Sequence, residues 1–144
     1  MAKFELHSDL KRDGIVLGEF PLSLVLLIND SAYPWFVLVP RRNGIKDAVD
    51  LELADYQQLS EESRLLSIAL KQVFAAEKLN VAALGNMTPQ FHVHHIVRSS
   101  SDGAWPKPIW GFQPLTPYTS EEIDSVRKRL GAVNIESLTK ADPT

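Results

Sequence analysis

Three of the four histidines in the chain fall within four positions, in the run Gln90-Phe91-His92-Val93-His94-His95-Ile96-Val97-Arg98. Read as a β-strand, the run sends alternate side chains to opposite faces. Gln90, His92 and His94 then share one face, while Phe91, Val93, His95 and Val97 share the other. The second set is mostly apolar and can pack on a core. The first is a polar row with neighbours two residues apart, roughly 7 Å, a spacing that can surround one phosphate. An imidazole titrates near neutral pH, so it serves there either as a neutral nucleophile or as a cation that stabilises phosphate. A backbone carbonyl on one ring nitrogen would fix the tautomer and leave the other nitrogen free to attack phosphorus. A second histidine can donate to a phosphoryl or leaving oxygen as charge builds.

Other readings of the same residues stand beside this one. His-x-His on a strand is also a common metal-ligand pair. Its third ligand would have to be distant, with Asp102 the nearest candidate, in a loop. Both histidines could instead be ordinary surface residues. His95 reads as structural on the back face, and His7 as an exposed histidine with no role.

The elements that must position the row follow from periodicity and turn chemistry. Residues 15–20, 22–28 and 35–39 are short apolar runs that read as strands. The second ends at the turn signal Asn29-Asp30, and the third is stopped by Pro40, which cannot donate to a ladder. A short loop between the second and third predicts an antiparallel pair. From 53 to 78, Leu59, Leu66, Leu70, Val73 and Phe74 make one apolar stripe of a long covering helix, with charge over residues 60–64 on its outer face. Residues 79–84 and 90–97 read as two more strands, joined through Gly85-Asn86. The stretch 99–118 holds Pro106, Pro108, Pro114 and Pro117 with Trp105, Trp110 and Phe112, an irregular segment too aromatic for a simple linker. Thr119 with Glu122 three residues on is a capping box that opens a helix over 119–131, closed by Gly131. The order predicts an α+β fold: an antiparallel sheet with one long covering helix and a C-terminal helix, in a single domain over 1–144.

The row and its surroundings resemble the histidine triad (HIT) superfamily, whose motif alternates three histidines with apolar residues. The likeness spans roughly 15–98. It takes in Leu24-Val25-Leu26-Leu27-Ile28-Asn29-Asp30, the approach to Val37-Leu38-Val39-Pro40-Arg41, and Gly85-Asn86 before Pro89-Gln90. With Ala104-Trp105-Pro106 and Trp110-Gly111 after it, the pattern looks like a bacterial branch of small HIT hydrolases. The motif departs from the usual one. Counting back from Arg98 makes His94 the third histidine and His92 the middle, nucleophilic one, so Gln90 stands in the first place. A rival register puts His92 first, His94 in the middle and Ile96 third. The first is preferred on the Arg98 spacing and because Gln, unlike Ile, can hydrogen-bond.

The resemblance implies a hydrolase of nucleotide derivatives, such as dinucleoside polyphosphates, nucleoside phosphoramidates or adenylylated small molecules. His92 would attack the α-phosphate and form a nucleotidyl-histidine. His94, Gln90 and Asn86, with Thr88, would contact the phosphate, Asn29 the ribose, and Leu27 and Val39 the base. It further implies a homodimer and no protein-bound metal or other cofactor. A second reading keeps nucleotide binding but little catalysis, because Gln90 replaces a histidine. A third is a metal-binding β-protein using His92 and His94. Arg41 and Arg42 read as a solvated strand end or as groups that steer a polyphosphate.

Composition sets outer limits. The 144 residues carry 44% hydrophobic and 23% charged side chains and a formal net charge of −3, ordinary for a globular domain. That charge argues against electrostatic binding of nucleic acid by the whole surface, and only Lys107 accompanies the aromatic cluster at 105–112. With no cysteine, disulfides and Cys-based zinc sites are excluded. The N-terminus is charged at Lys3, Glu5 and Asp9, and the longest apolar run, 22–28, is too short to cross a bilayer, so a cytoplasmic location without membrane contact is the default reading.

Overall fold

The computed structural model describes residues 3–142. It contains α1 (Ser8–Asp13), β1 (Gly14–Glu19), β2 (Ser23–Ile28), β3 (Trp35–Pro40), a 3-10 turn (Ala48–Asp50), α2 (Leu53–Phe74), β4 (Lys78–Ala82), β5 (Val93–Arg98), α3 (Ser120–Gly131) and β6 (Thr139–Lys140). The six strands form one sheet in the order β4-β5-β3-β2-β1-β6, and every pairing is antiparallel. The α+β class, the long covering helix and the C-terminal helix are as the sequence predicts. The sequence reading did not include α1 or β6.

The sheet separates two apolar layers. Val25, Leu27, Phe36, Leu38 and Val97 face Leu59, Leu66 and Leu70 of α2 and Val126 and Leu130 of α3. On the other side Leu26, Ile28, Trp35, Val37, Val39 and Ile96 face Leu10 of α1 and Ala104 and Ile109 of the irregular segment, with Phe4, Leu6 and Trp110 packed against them. The alternation of β2 and β3 residues between these layers is the period-two rule at work, and it explains why β3 is buried along its whole length.

Two local departures from the sequence reading matter for the site. The helical stripe includes Glu62, which is fully buried although charge over 60–64 pointed outward. Its carboxylate accepts the Leu22 and Ser23 N–H groups at 2.8 and 3.0 Å and the Gln58 amide at 2.8 Å, so it closes backbone donors at the start of β2. Ser63 also turns inward. The second departure is the start of β5 at Val93, three residues later than expected. The β3–β5 ladder ends at Leu38–Val93, because Pro40, the next residue whose backbone faces β5, has no N–H to offer a further rung. Phe91 therefore donates to the Ile45 carbonyl at 2.9 Å, and residues 90–92 lie outside the sheet.

Thr119 and Glu122 form the reciprocal capping box read from sequence, with bonds of 3.2 and 2.8 Å. Gly85 supplies the turn after β4 with φ +72°, a backbone region that favours glycine. No described helix is long and apolar enough to cross a membrane.

Candidate active site

His92 and His94 remain neighbours although only His94 lies in the strand. Their ring centroids are 4.9 Å apart and their planes meet at 70°. Both are buried, at 6% and 7% exposure.

The two rings have opposite protonation patterns. His92 Nδ1 lies 2.7 Å from the Gln90 carbonyl, which can only accept, so Nδ1 carries a proton and, in the neutral ring, Nε2 keeps its lone pair. His94 Nδ1 lies 2.9 Å from the indole Nε1–H of Trp35, which can only donate, so His94 carries its proton on Nε2. Burial, with His92 and His95 adding to it, lowers the His94 pKa to about 3, so this ring is a neutral donor and not a cation. One ring thus offers a nucleophilic nitrogen, and the ring beside it offers an N–H. Trp110 also meets the His94 ring in a T-shaped contact, with centroids 5.3 Å apart.

His95 points to the opposite face, beneath α2. Its Nδ1 donates to the Val93 carbonyl at 3.1 Å, and its Nε2 accepts from the Ser63 hydroxyl at 2.7 Å. Burial lowers its pKa to about 4. This is the structural role the sequence assigned to it.

A recess of about 100 Å³ opens beside His92, lined by Lys46, Asp47, Ala48, Ala83, Leu84, Gly85 and Phe91. A second groove of about 240 Å³ runs along His7, Arg42, Asn43, Gly44, Ile45, Lys46, Pro89 and Gln90.

The HIT domain family matches residues 10–101 of the chain. A histidine triad protein from Marinobacter aquaeolei VT8 is 48% identical, superposes with a TM-score of 0.89, and is matched over 91% of this chain and 96% of its own. A histidine triad protein from Bradyrhizobium japonicum is 44% identical with a TM-score of 0.86, over 91% and 98%. One from Sinorhizobium meliloti 1021 is 40% identical with a TM-score of 0.88, over 90% and 96%. The chain belongs to the histidine triad (HIT) family. No curated protein matches it.

Within this HIT domain the other residues singled out in the sequence are placed as follows. Val39 is fully buried on the His94 face, one step beyond the last β3–β5 rung. Leu27 belongs to the layer beneath α2, paired with Phe36, and cannot line a pocket on the His94 face. Its parity in β2 excludes it. Gln90 does not extend a polar row. Its Oε1 accepts the His7 N–H at 2.8 Å, and its Nε2 donates to the Glu5 carbonyl at 2.9 Å, so the carboxamide holds the N-terminal segment. His7, read as idle, is half-buried and caps α1 by accepting the Asp9 N–H at 3.0 Å.

Thr88 donates to Asp9 at 2.8 Å, tying the loop before the histidines to α1. Asn86 is exposed in that loop. Asn29 accepts the Tyr118 N–H at 2.9 Å. It follows Leu26, the residue level with His94, by three positions and lies two strands across, so the fold does not bring it to the imidazoles. Arg41 bonds Glu19 and the carbonyls of Phe20, Pro21 and Leu22, while Arg42 bonds Asp55, so both hold local structure. Asp102, weighed as a metal ligand, is committed to Arg98 at 2.8 and 3.1 Å and to the N–H groups of Ser99, Ala104 and Trp105. Among the described residues no group of three His, Asp or Glu side chains is placed to hold a metal.

Trp35, which donates to His94 Nδ1, is the neighbour of the imidazole pair that sequence reasoning missed. A tryptophan in a buried strand needs an acceptor for its N–H, and that was the available signal. Which acceptor it finds depends on the β3–β5 register.

Proposed function

We propose that this HIT protein hydrolyses or transfers nucleotide derivatives at the α-phosphate, with His92 as the nucleophile. The observation that carries the reading is the complementary protonation of the pair, a lone pair on His92 Nε2 beside an N–H on His94 Nε2. In the first step Nε2 forms a bond to phosphorus as the bond to the leaving oxygen or nitrogen breaks. The Gln90 carbonyl accepts from Nδ1–H and stabilises the positive charge that the ring gains. His94 donates to a phosphoryl oxygen throughout. Water then attacks phosphorus, the N–P bond breaks, and a nucleoside monophosphate leaves. The proton released by water balances the one taken up by the leaving group. Dinucleoside polyphosphates and nucleoside phosphoramidates are the substrate classes suggested by the family resemblance, and the homodimeric state enters the proposal by the same route.

The reading is tested by mass spectrometry of the intact protein, mixed briefly with adenosine phosphoramidate and kept at neutral pH because the histidine adduct is acid-labile. One adenylyl group on His92 is expected, with turnover abolished in His92→Ala. An adduct on His94, or undiminished turnover in His92→Ala, would overturn the assignment. The turning away of the Gln90 carboxamide favours a second reading, a nucleotide-binding protein with little chemistry. Tight AMP binding with neither adduct nor release would select it.

A further inference from the structure

A recess of about 340 Å³ opens on the α2 side of the sheet, the face opposite to His94. Its wall is apolar: Leu17 of β1, Val25 of β2, Leu66 of α2 and Leu130 of α3, with Ile135 and Leu138 from the chain that follows. All but Leu138 are buried core residues, so the wall is in place before anything enters. Protein interiors hold few voids larger than a water molecule, and apolar pockets of roughly 300–1,000 Å³ are the size that small ligands occupy.

The recess is completed by the close approach of β6 to β1. Gly18 pairs with Lys140, and a Cβ at Gly18 would stand 2.5 Å from the Thr139 carbonyl oxygen, so only glycine admits the strand there. The Ala141 N–H then donates to the Leu17 carbonyl at 2.9 Å. Leu138 and Lys140, two residues apart, both line the recess, and Thr139 between them does not.

Three charged residues share the lining: Arg127 of α3, Lys140 of β6, and Asp142. Neither cation has a carboxylate partner among the described residues. Arg127 reaches the Val16 carbonyl and Lys140 the Gly131 carbonyl, each at 3.5 Å, well beyond the usual length of about 2.9–3.0 Å. A Cβ at Gly131 would stand 3.3 Å from the Lys140 Nζ, so the glycine leaves that ammonium its place. Two positive groups against one negative leave the lining short of one negative charge.

We propose that this recess binds an amphipathic monocarboxylate of the medium-chain fatty acid kind, with its alkyl chain against Leu66 and Leu130 and its carboxylate between Arg127 and Lys140. Burial of the chain supplies the affinity, and the two cations select the head. One carboxylate balances the lining, whereas an alcohol of the same length leaves the cations as they are. The site is separate from the imidazole pair and stands whether or not His92 is the nucleophile.

The test uses the full chain with 13C-labelled leucine and isoleucine methyl groups, and decanoate below its micelle concentration as the probe. Decanoate is expected to bind at one equivalent by calorimetry and to move the Leu66 and Leu130 signals. Those of Leu26 and Ile28, on the other face, should stay in place and report that each variant is folded. Arg127→Gln and Lys140→Gln are each expected to weaken binding by about 3- to 10-fold, and decanol to bind less tightly than decanoate. Leu138→Trp, which fills the recess from a half-buried position, is expected to abolish binding. Decanol binding as tightly as decanoate, or full affinity in both charge variants, would overturn the choice of a carboxylate. Signals that move on both faces of the sheet would mean detergent-like binding and no site, and no movement at Leu66 or Leu130 would end the proposal. Movement of those two signals on concentrating the protein alone would give the recess to a second copy of the chain instead.

Discussion

A histidine's chemistry depends on which ring nitrogen holds the proton, and residues 92–95 arrange this in three ways. His92 is set by a carbonyl two residues before it, His94 by an indole from the neighbouring strand, and His95 by a carbonyl and a helix hydroxyl. The first was legible in the sequence as a general device. The second was not, because it joins residues 59 positions apart. The pKa directions carry a stability consequence. His94 titrates at about 3 and His95 at about 4 in the fold, against a usual value of 6.5. Between those values the unfolded chain binds more protons than the folded one, so stability rises with pH there and falls on acidification. The unfolding free energy, read from urea unfolding, is expected to drop between pH 7 and pH 5, before most carboxylates titrate, by up to about 1.4 kcal/mol per pH unit for each ring. A free energy constant across that range would contradict the buried neutral state of both.

At the scale of elements, polarity misled where periodicity did not. Glu62 lies three residues after Leu59 and four before Leu66, on the very stripe those leucines define. Its charge suggested solvent, but the fold uses the carboxylate to accept the backbone N–H groups at the buried start of β2. Glu62→Ala is expected to strip two backbone N–H groups of their acceptor and to cost about 3 kcal/mol, read from chemical unfolding. Glu62→Gln, which keeps one carbonyl oxygen, should cost less. Equal stability of all three proteins would show that water replaces the carboxylate. The late start of β5 has the same kind of origin. The alternating pattern of 90–97 is real, but a strand needs a partner, and Pro40 ends the one available.

In the whole molecule, the sheet carries His94, with His92 against it, on one side and its main helical cover on the other. Segment 99–118 completes the His94 side. It is anchored by Arg98, which is buried at 2% exposure, bonds Asp102 twice and Asn80 once, and lies over the rings of Tyr33 and Trp105. The Arg98 guanidinium holds the Asp102 carboxyl below the usual carboxylate range. Asp102→Asn leaves a buried guanidinium without its counter-charge and should cost about 3–5 kcal/mol. Hydrogen exchange should then rise first in residues 99–112, the segment that Asp102 ties to β5. Exchange that rises evenly over the whole chain would show that the pair supports the core at large and not this segment.

The sequence by itself determined the kind and order of the main elements, the capping box of α3, the antiparallel pairing of β2 with β3, and the placing of His94 and His95 on opposite faces of the sheet. These rest on periods of two and 3.6 residues and on turn and cap residues, which act over a few positions. Only the tertiary structure decided where the polar groups go. It assigned Gln90 to the backbone of residues 5 and 7, more than 80 positions away, Glu62 to that of residues 22 and 23, and Trp35 to His94. It also left Trp110 unpaired beside the imidazoles. A buried donor or acceptor takes whatever partner strand register and layer packing bring within about 3 Å, and no local pattern in the chain encodes that distance.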